Sequence, residues 1–154
     1  MRYFFILIFV AVFLAGCSED KVVTSVDLYF MEITETRFKL ASETRDFDGP
    51  QPGIKSVMEA WVEGPRSSEL SRVVPEDVRL LDGFVRENVA YLDFSSEITK
   101  APMGGELEAI LVQSIVMTAA QVKGVDAVQI MVDEEVIESL AGHVLINRPV
   151  RVDM

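Results

Sequence analysis

The sequence holds one cysteine, one histidine and one tryptophan in 154 residues. A lone cysteine, Cys17, has no second thiol to pair with, so an intrachain disulfide is excluded. A lone histidine, His143, excludes a multi-histidine zinc site, and no thiol ligand would survive acylation of Cys17. Basic residues are also scarce: 14 Lys and Arg face 25 Asp and Glu, a formal net charge of −11. A polyanion would be repelled by such a surface, which excludes nucleic acid as a partner. Anionic lipid would repel it as well, so the domain is not expected to lie flat on a membrane. No Gly-x-Ser-x-Gly elbow is present, and no Walker-type Gly-Lys-Ser/Thr. Repeats and low-complexity stretches are absent too.

Against this background the start of the chain stands out. Arg2 precedes an unbroken apolar run, Tyr3 to Leu14, which leads into Leu14-Ala15-Gly16-Cys17. A basic start, a short hydrophobic stretch and small residues before a cut site are the marks of a secretory signal peptide. The run falls short of the about 20 apolar residues that a membrane span needs. Leucine, two small residues and cysteine form a lipobox, which resembles the processing site of bacterial lipoproteins. That resemblance implies cleavage before Cys17, a diacylglyceryl group on its sulfur and a further acyl chain on its amine. Two or more acyl chains make a stable anchor where one would hold only reversibly. Residues 1–16 are therefore expected to be a removed leader, and residues 17–24 a short tether beginning Ser18-Glu19-Asp20-Lys21. With a reach of about 25 Å, such a tether keeps the domain close to the surface that holds it. The expected location is the bacterial cell envelope, on the extracytoplasmic side of a membrane.

Residues 25–154 have the usual size of one domain. Breakers mark its joints at Asp48-Gly49-Pro50, Gly64-Pro65, Pro75, Pro102 to Gly105 and Gly124. Val26, Leu28 and Phe30 alternate with Asp27, Tyr29 and Met31, which predicts a strand, and a second extended stretch is expected over Phe38 to Phe47. Ile54, Val57, Met58, Trp61 and Val62 occupy one face of a helix that starts near Pro52 and stops at Gly64-Pro65. Trp61 on that stripe reads as core rather than as a ligand platform. Val78 to Val85 and Val89 to Phe94 flank Arg86-Glu87-Asn88 and read as a hairpin, with Asp82-Gly83 offering a rival turn or a bulge. A long helix is expected from Gly105 to Lys123, with an apolar face wide enough for near-complete burial. Glu106 and Glu108 suit its positive end and Lys123 its negative end, and Gly124 is placed to cap it. A last hairpin is expected from Val128 to Val132 and Val136 to Leu140 around Asp133-Glu134-Glu135, and Val150 and Val152 could add an edge strand. Strand pairs punctuated by two helices predict an α+β domain, a two-layer sandwich with two main helices on one face of a mostly antiparallel sheet.

Four segments in this order carry a family resemblance. They are Val26-Asp27-Leu28-Tyr29-Phe30, Asn88-Val89-Ala90-Tyr91-Leu92-Asp93-Phe94-Ser95, Gly105-Glu106-Leu107-Glu108 at the start of the long helix, and Val128-Gln129-Ile130-Met131-Val132-Asp133. Together they resemble the GerM-type (GerMN) domains of sporulation and spore germination proteins, over roughly Ser25 to Leu140. The family's last hairpin turns through Asp-Gly, whereas Glu134 follows Asp133 here. The resemblance implies a small α+β module that binds envelope partners or assembles into rings. It supplies no catalytic residue to transfer.

His143, in Leu140-Ala141-Gly142-His143, reads as an exposed loop histidine. Asp93 and Glu97 could serve as paired carboxylates for cutting glycan, against a local role in ending a strand and satisfying loop amides. Asp133-Glu134-Glu135 with Glu138 lacks calcium-loop spacing and reads as a solvated acidic tip. Met103-Gly104-Gly105 invites a phosphate-loop reading, but Glu106 and Glu108 would oppose an anion there. No metal ligand set and no cofactor is expected. Two functions from different classes follow. In the first, a non-catalytic binding or assembly module recognises an envelope protein or the cell wall, with possible exposed contacts at Tyr29, Met31, Tyr91 and Met131 and self-association as a homo-oligomer. In the second, a peptidoglycan hydrolase uses Asp93 and Glu97.

Overall fold

The computed structural model describes residues 22–152. The leader expected over residues 1–16 and the lipidation at Cys17 lie outside the described residues.

Apolar and polar residues alternate along β1 (Val23–Ile33), and β2 (Phe38–Asp48) pairs with it antiparallel over its whole length, from Val23 opposite Asp48 to Ile33 opposite Phe38. The turn between them is tied by Thr34, whose hydroxyl donates to the Arg37 carbonyl at 2.8 Å. Val26, Leu28 and Phe30 point into the core. The strand begins two residues before the expected start at Ser25. A short β3 (Leu70–Ser71) joins the opposite edge of β1 at Met31 and Glu32.

The first helix, α1 (Ile54–Val62), buries Ile54, Val57, Met58 and Trp61, the predicted stripe. It packs on β4 (Leu80–Arg86), where a Cβ at Gly83 would meet the Lys55 backbone at 3.5 Å. β4 forms a hairpin with β5 (Val89–Phe94), turning through Glu87-Asn88 with φ of 51° and 63°. Two consecutive positive-φ residues give the turn a twist that matches the flanking strands. The chain does not turn at Asp82-Gly83; instead the register shifts between Leu80 and Asp82, which is a bulge.

After β5 a 3-10 turn (Ser96–Thr99) leads to α2 (Gly105–Ala119), and the chain then returns as β6 (Ala127–Val132). β6 lies parallel to β5, with Tyr91 opposite Gln129 and Asp93 opposite Met131. Parallel neighbours need a crossover, and α2 provides it. The α+β architecture with two helices and mostly antiparallel pairing is present, divided between two sheets ordered β2-β1-β3 and β4-β5-β6-β7. β7 (Val150–Arg151) is the edge strand anticipated from Val150.

Two expectations are corrected. α2 stops at Ala119 rather than Lys123, because the chain tightens into three-residue turns, with the Gln121 and Val122 amides donating to the Thr118 and Ala119 carbonyls. That tightening turns Val122 and Val125 into the core and leaves Lys123 exposed. Gly124, at φ +86°, therefore ends this turn region and not the helix. The final hairpin also has only one arm. After Asp133-Glu134 a single bridge joins Val132 to Glu135, and residues 136–140 are not a strand.

The core unites β1, α1, β5, α2 and β6 around Trp61, Phe30, Phe94 and Leu111. α2 runs along β1 and, with Trp61 of α1, supplies the hydrogen bonds that a neighbouring strand would otherwise make. The Tyr29 amide donates to Thr118 Oγ1 at 2.9 Å, and the Tyr29 carbonyl accepts from Ser114 Oγ at 2.6 Å and from Trp61 Nε1 at 2.8 Å. Trp61 is 1% exposed and meets Phe94 edge-on at 6.0 Å, so it is a core residue as anticipated.

Candidate functional site

Side chains alternate across a strand, so paired residues on β4 and β5 share a face. Ala90, Leu92 and Phe94 face the core. Tyr91 and Asp93 face the other way, together with Phe84 and Asp82, their cross-strand partners on β4. Met131 on β6 continues this face beside Asp93. The result is an open groove of about 410 Å³, lined by Leu81, Asp82, Phe84, Arg86, Tyr91, Asp93, Met131, Glu134 and Val136. Phe84 is 44% exposed and Val136 51%. The Phe84 and Tyr91 rings stack at 5.1 Å and 10°, and the Arg86 guanidinium lies 5.2 Å from the Tyr91 ring centre.

Asp93 is nearly buried at one end of the groove. Its Oδ1 accepts the Glu134 amide at 2.9 Å, which holds the Asp133-Glu134 turn at φ of 48° and 68°. Substitution of Glu for the usual Gly therefore leaves the turn in the left-handed region. Among the described residues no cationic side chain forms an ion pair with Asp93 or Glu134, whereas Asp82 lies 3.6 Å from Lys55 Nζ.

Glu97 is not part of this groove. Its carboxylate is bonded to Lys100 Nζ at 2.9 Å, and the Lys100 and Ser95 hydrogen bonds hold its pKa at about 2. The Glu97 carboxylate in turn raises the Lys100 pKa. Tyr29 and Met31 are on the other sheet, Tyr29 half-buried and Met31 buried, so only Tyr91 and Met131 of the four proposed contacts meet in one place. Phe84, Leu81, Arg86 and Val136 were not anticipated. For Phe84 a usable clue existed: a two-residue turn at Glu87-Asn88 fixes Arg86 opposite Val89 and hence Phe84 opposite Tyr91.

His143 is half-exposed, but its setting is more than a loop. Glu108, 0% exposed, accepts the amides of Leu140 and Ala141 on one oxygen at 3.0 and 2.8 Å. Its other oxygen accepts the His143 amide at 2.8 Å and lies 3.0 Å from His143 Nδ1. Burial pushes the Glu108 carboxyl up, yet the amides of Ala141, His143 and Val144 and the His143 ring together outweigh it and lower its pKa. The start of α2 after Met103 is covered by the same residues, and a Cβ at Gly105 would meet the His143 side chain at 3.4 Å. This cluster ties the C-terminal segment to the helix.

A second clamp joins β2 to the region after α1. Arg45, 4% exposed, is bonded to Glu43 at 2.6 Å and donates to the carbonyls of Ala60 and Gly64. Burial raises the Glu43 pKa, but the Ser67 and Arg66 amides and Arg45 bring it below the ordinary value. Among the described residues no group of three or more His, Cys, Asp or Glu side chains is arranged to hold a metal, and Asp133, Glu134, Glu135 and Glu138 are all exposed. No helix of the described residues is long and apolar enough to cross a membrane.

Comparison with known proteins places these features in context. A family model described as Germane, sporulation and spore germination, matches residues 27–138. No curated protein matches the sequence. Among solved structures, the chain is similar to the first GerMN domain of the Bacillus subtilis sporulation protein GerM, at 19% identity and a TM-score of 0.65, covering 85% of this chain and 96% of that one. The tandem GerMN domains of the same protein match at 21% identity and 0.67, over 89% of this chain and 48% of that one. A Clostridium perfringens protein described as a candidate lipoprotein matches at 24% and 0.59, over 84% of this chain and 87% of that one. At these identities the structural likeness establishes the fold.

Proposed function

Because the chain belongs to the Germane family of sporulation and spore germination domains, we propose that it is a non-catalytic binding or assembly module of the bacterial cell envelope. In this reading a lipid on Cys17 anchors it to a membrane, and its partner is an envelope protein or the cell wall. The observation that carries the reading is the open groove, where Phe84, Tyr91 and Met131 are held at a water-accessible surface beside Asp93. Apolar side chains on a rigid sheet face, rimmed by charge, suit recognition. The similarity to a Clostridium perfringens candidate lipoprotein supports the anchor. Self-association as a homo-oligomer rests on family analogy alone and belongs to the proposal.

Glycan cleavage by Asp93 and Glu97 draws less support. A general acid for that reaction needs a raised pKa, whereas Lys100 holds Glu97 at about 2. Crosslinking and affinity recovery from intact envelopes, with the full chain as bait, test the proposal. A specific protein or wall fragment is the expected catch. Recovery of neither, or digestion of muropeptides that is lost in Asp93→Asn, would overturn it.

A further inference from the structure

Resting on the binding-module reading, we propose that the groove on β4, β5 and β6 receives an extended protein segment whose groove-facing side chains, every second residue, include apolar ones and a lysine or arginine. Leu81, Phe84, Met131 and Val136 offer apolar surface for one or two side chains, in a space of about 410 Å³. The charge of the groove selects what flanks them. Of the charged groups lining it, Asp82 is paired with Lys55 Nζ at 3.6 Å and Arg86 is drawn over the Tyr91 ring, which leaves Asp93 and Glu134. Asp93 and Glu134 have no cationic partner among the described residues, so a lysine or arginine of the incoming segment would neutralise them.

β4 favours a strand-like occupant. It is the end strand of its sheet, and Leu81, Phe84 and Val85 are exposed on it. A segment laid along that edge could pair with its backbone while alternate side chains enter the groove. The same features disfavour the other envelope materials. Muropeptides and anionic lipids would bring carboxylates or phosphates to Asp93 and Glu134 on a chain of net charge −11. Tyr91, the natural sugar platform, is already engaged by Phe84 and Arg86.

The test uses the full mature chain in nanodiscs of zwitterionic lipid, with empty discs as background. The probes are the hexapeptide Leu-Ser-Phe-Ser-Lys-Ser, which presents Leu, Phe and Lys on one face, its glutamate counterpart Leu-Ser-Phe-Ser-Glu-Ser, and a purified muropeptide. Binding of the lysine peptide alone is expected, weakening about fivefold or more in Phe84→Ser and in Asp93→Asn. Asparagine keeps an oxygen for the Glu134 amide, and Glu134→Gln at the exposed turn gives a third variant that does not disturb folding. Glu69→Gln, an equal charge change outside the groove, is expected to leave the affinity unchanged. Equal loss in Glu69→Gln, equal binding of the glutamate peptide, preference for the muropeptide, or wild-type affinity in the three groove variants would each overturn the proposal. Envelope recovery undiminished by Phe84→Ser would overturn the groove assignment while leaving the module reading intact.

Discussion

Glu108 and His143 stand 35 residues apart in the chain and meet with Oε2 3.0 Å from Nδ1. That carboxylate also accepts the amides of Leu140, Ala141 and His143, so one buried side chain organises the bend after residue 138. Removing it leaves three amides without their acceptor. Glu108→Ala should cost about 3 kcal/mol, read as a lowered urea midpoint. Hydrogen exchange should speed at Leu140, Ala141 and His143 before it does in β5.

The same carboxyl makes stability depend on acid. Hydrogen bonds lower the pKa of Glu108 and of Glu43 below the ordinary 4.5 in the folded state. The unfolded chain therefore binds protons more readily there, and the stabilisation is fully present above pH 4.5 and declines as pH falls through the folded values. Urea midpoints should hold between pH 7 and about pH 4.5 and fall below it. Glu108→Gln should begin lower and follow a shallower slope. An unchanged slope would remove Glu108 from this account.

Thr118→Val keeps the shape of the side chain but takes away the acceptor for the Tyr29 amide. Thr118 is 0% exposed, so water cannot replace it. The expected loss is about 1–3 kcal/mol, measured by thermal or urea unfolding, whereas Thr44→Val on the exposed side of β2 should cost far less.

Glu134 sits at φ 68° in a turn that glycine enters without steric cost. Glu134→Gly should stabilise the fold by about 0.5–1 kcal/mol, the relief of left-handed strain outweighing the added freedom of the unfolded chain. Any loss of stability would mean that the Glu134 side chain makes compensating contacts.

Cys17→Ser should abolish acyl labelling and leave an uncleaved or released form in fractionated cells. Labelling that persists in this variant would disprove the anchor assignment.

Much of the architecture was legible because local periodicity dictates it. The strands around Leu28 and Leu92 and the stripe of α1 follow from short-range pattern and backbone chemistry, whereas the corner at Arg86-Glu87-Asn88 was marked without being chosen over Asp82-Gly83. Pairing between distant segments was not legible: nothing local tells β6 to lie parallel to β5 rather than turn back on itself. Glu108 was hidden for a related reason. An acid in the first turn of a helix already has an explanation in the helix dipole, and the amides it captures lie 32 to 35 residues further on. The groove was half-visible. Tyr91 and Met131 were marked, but whether an aromatic such as Phe84 is covered depends on what the C-terminal segment leaves open.

The way Tyr29 is completed by Ser114 and Thr118, 85 and 89 residues later, bears on the order in which the polypeptide matures. As the chain is synthesised amino end first, its opening β-ribbon emerges with that inner rim bare and liable to pair with a neighbour. Maturation therefore waits for the second half to arrive. A stall in synthesis anywhere before residue 114 would leave a sticky, half-finished ribbon, and that stage is where aggregation or proteolytic clearance should concentrate.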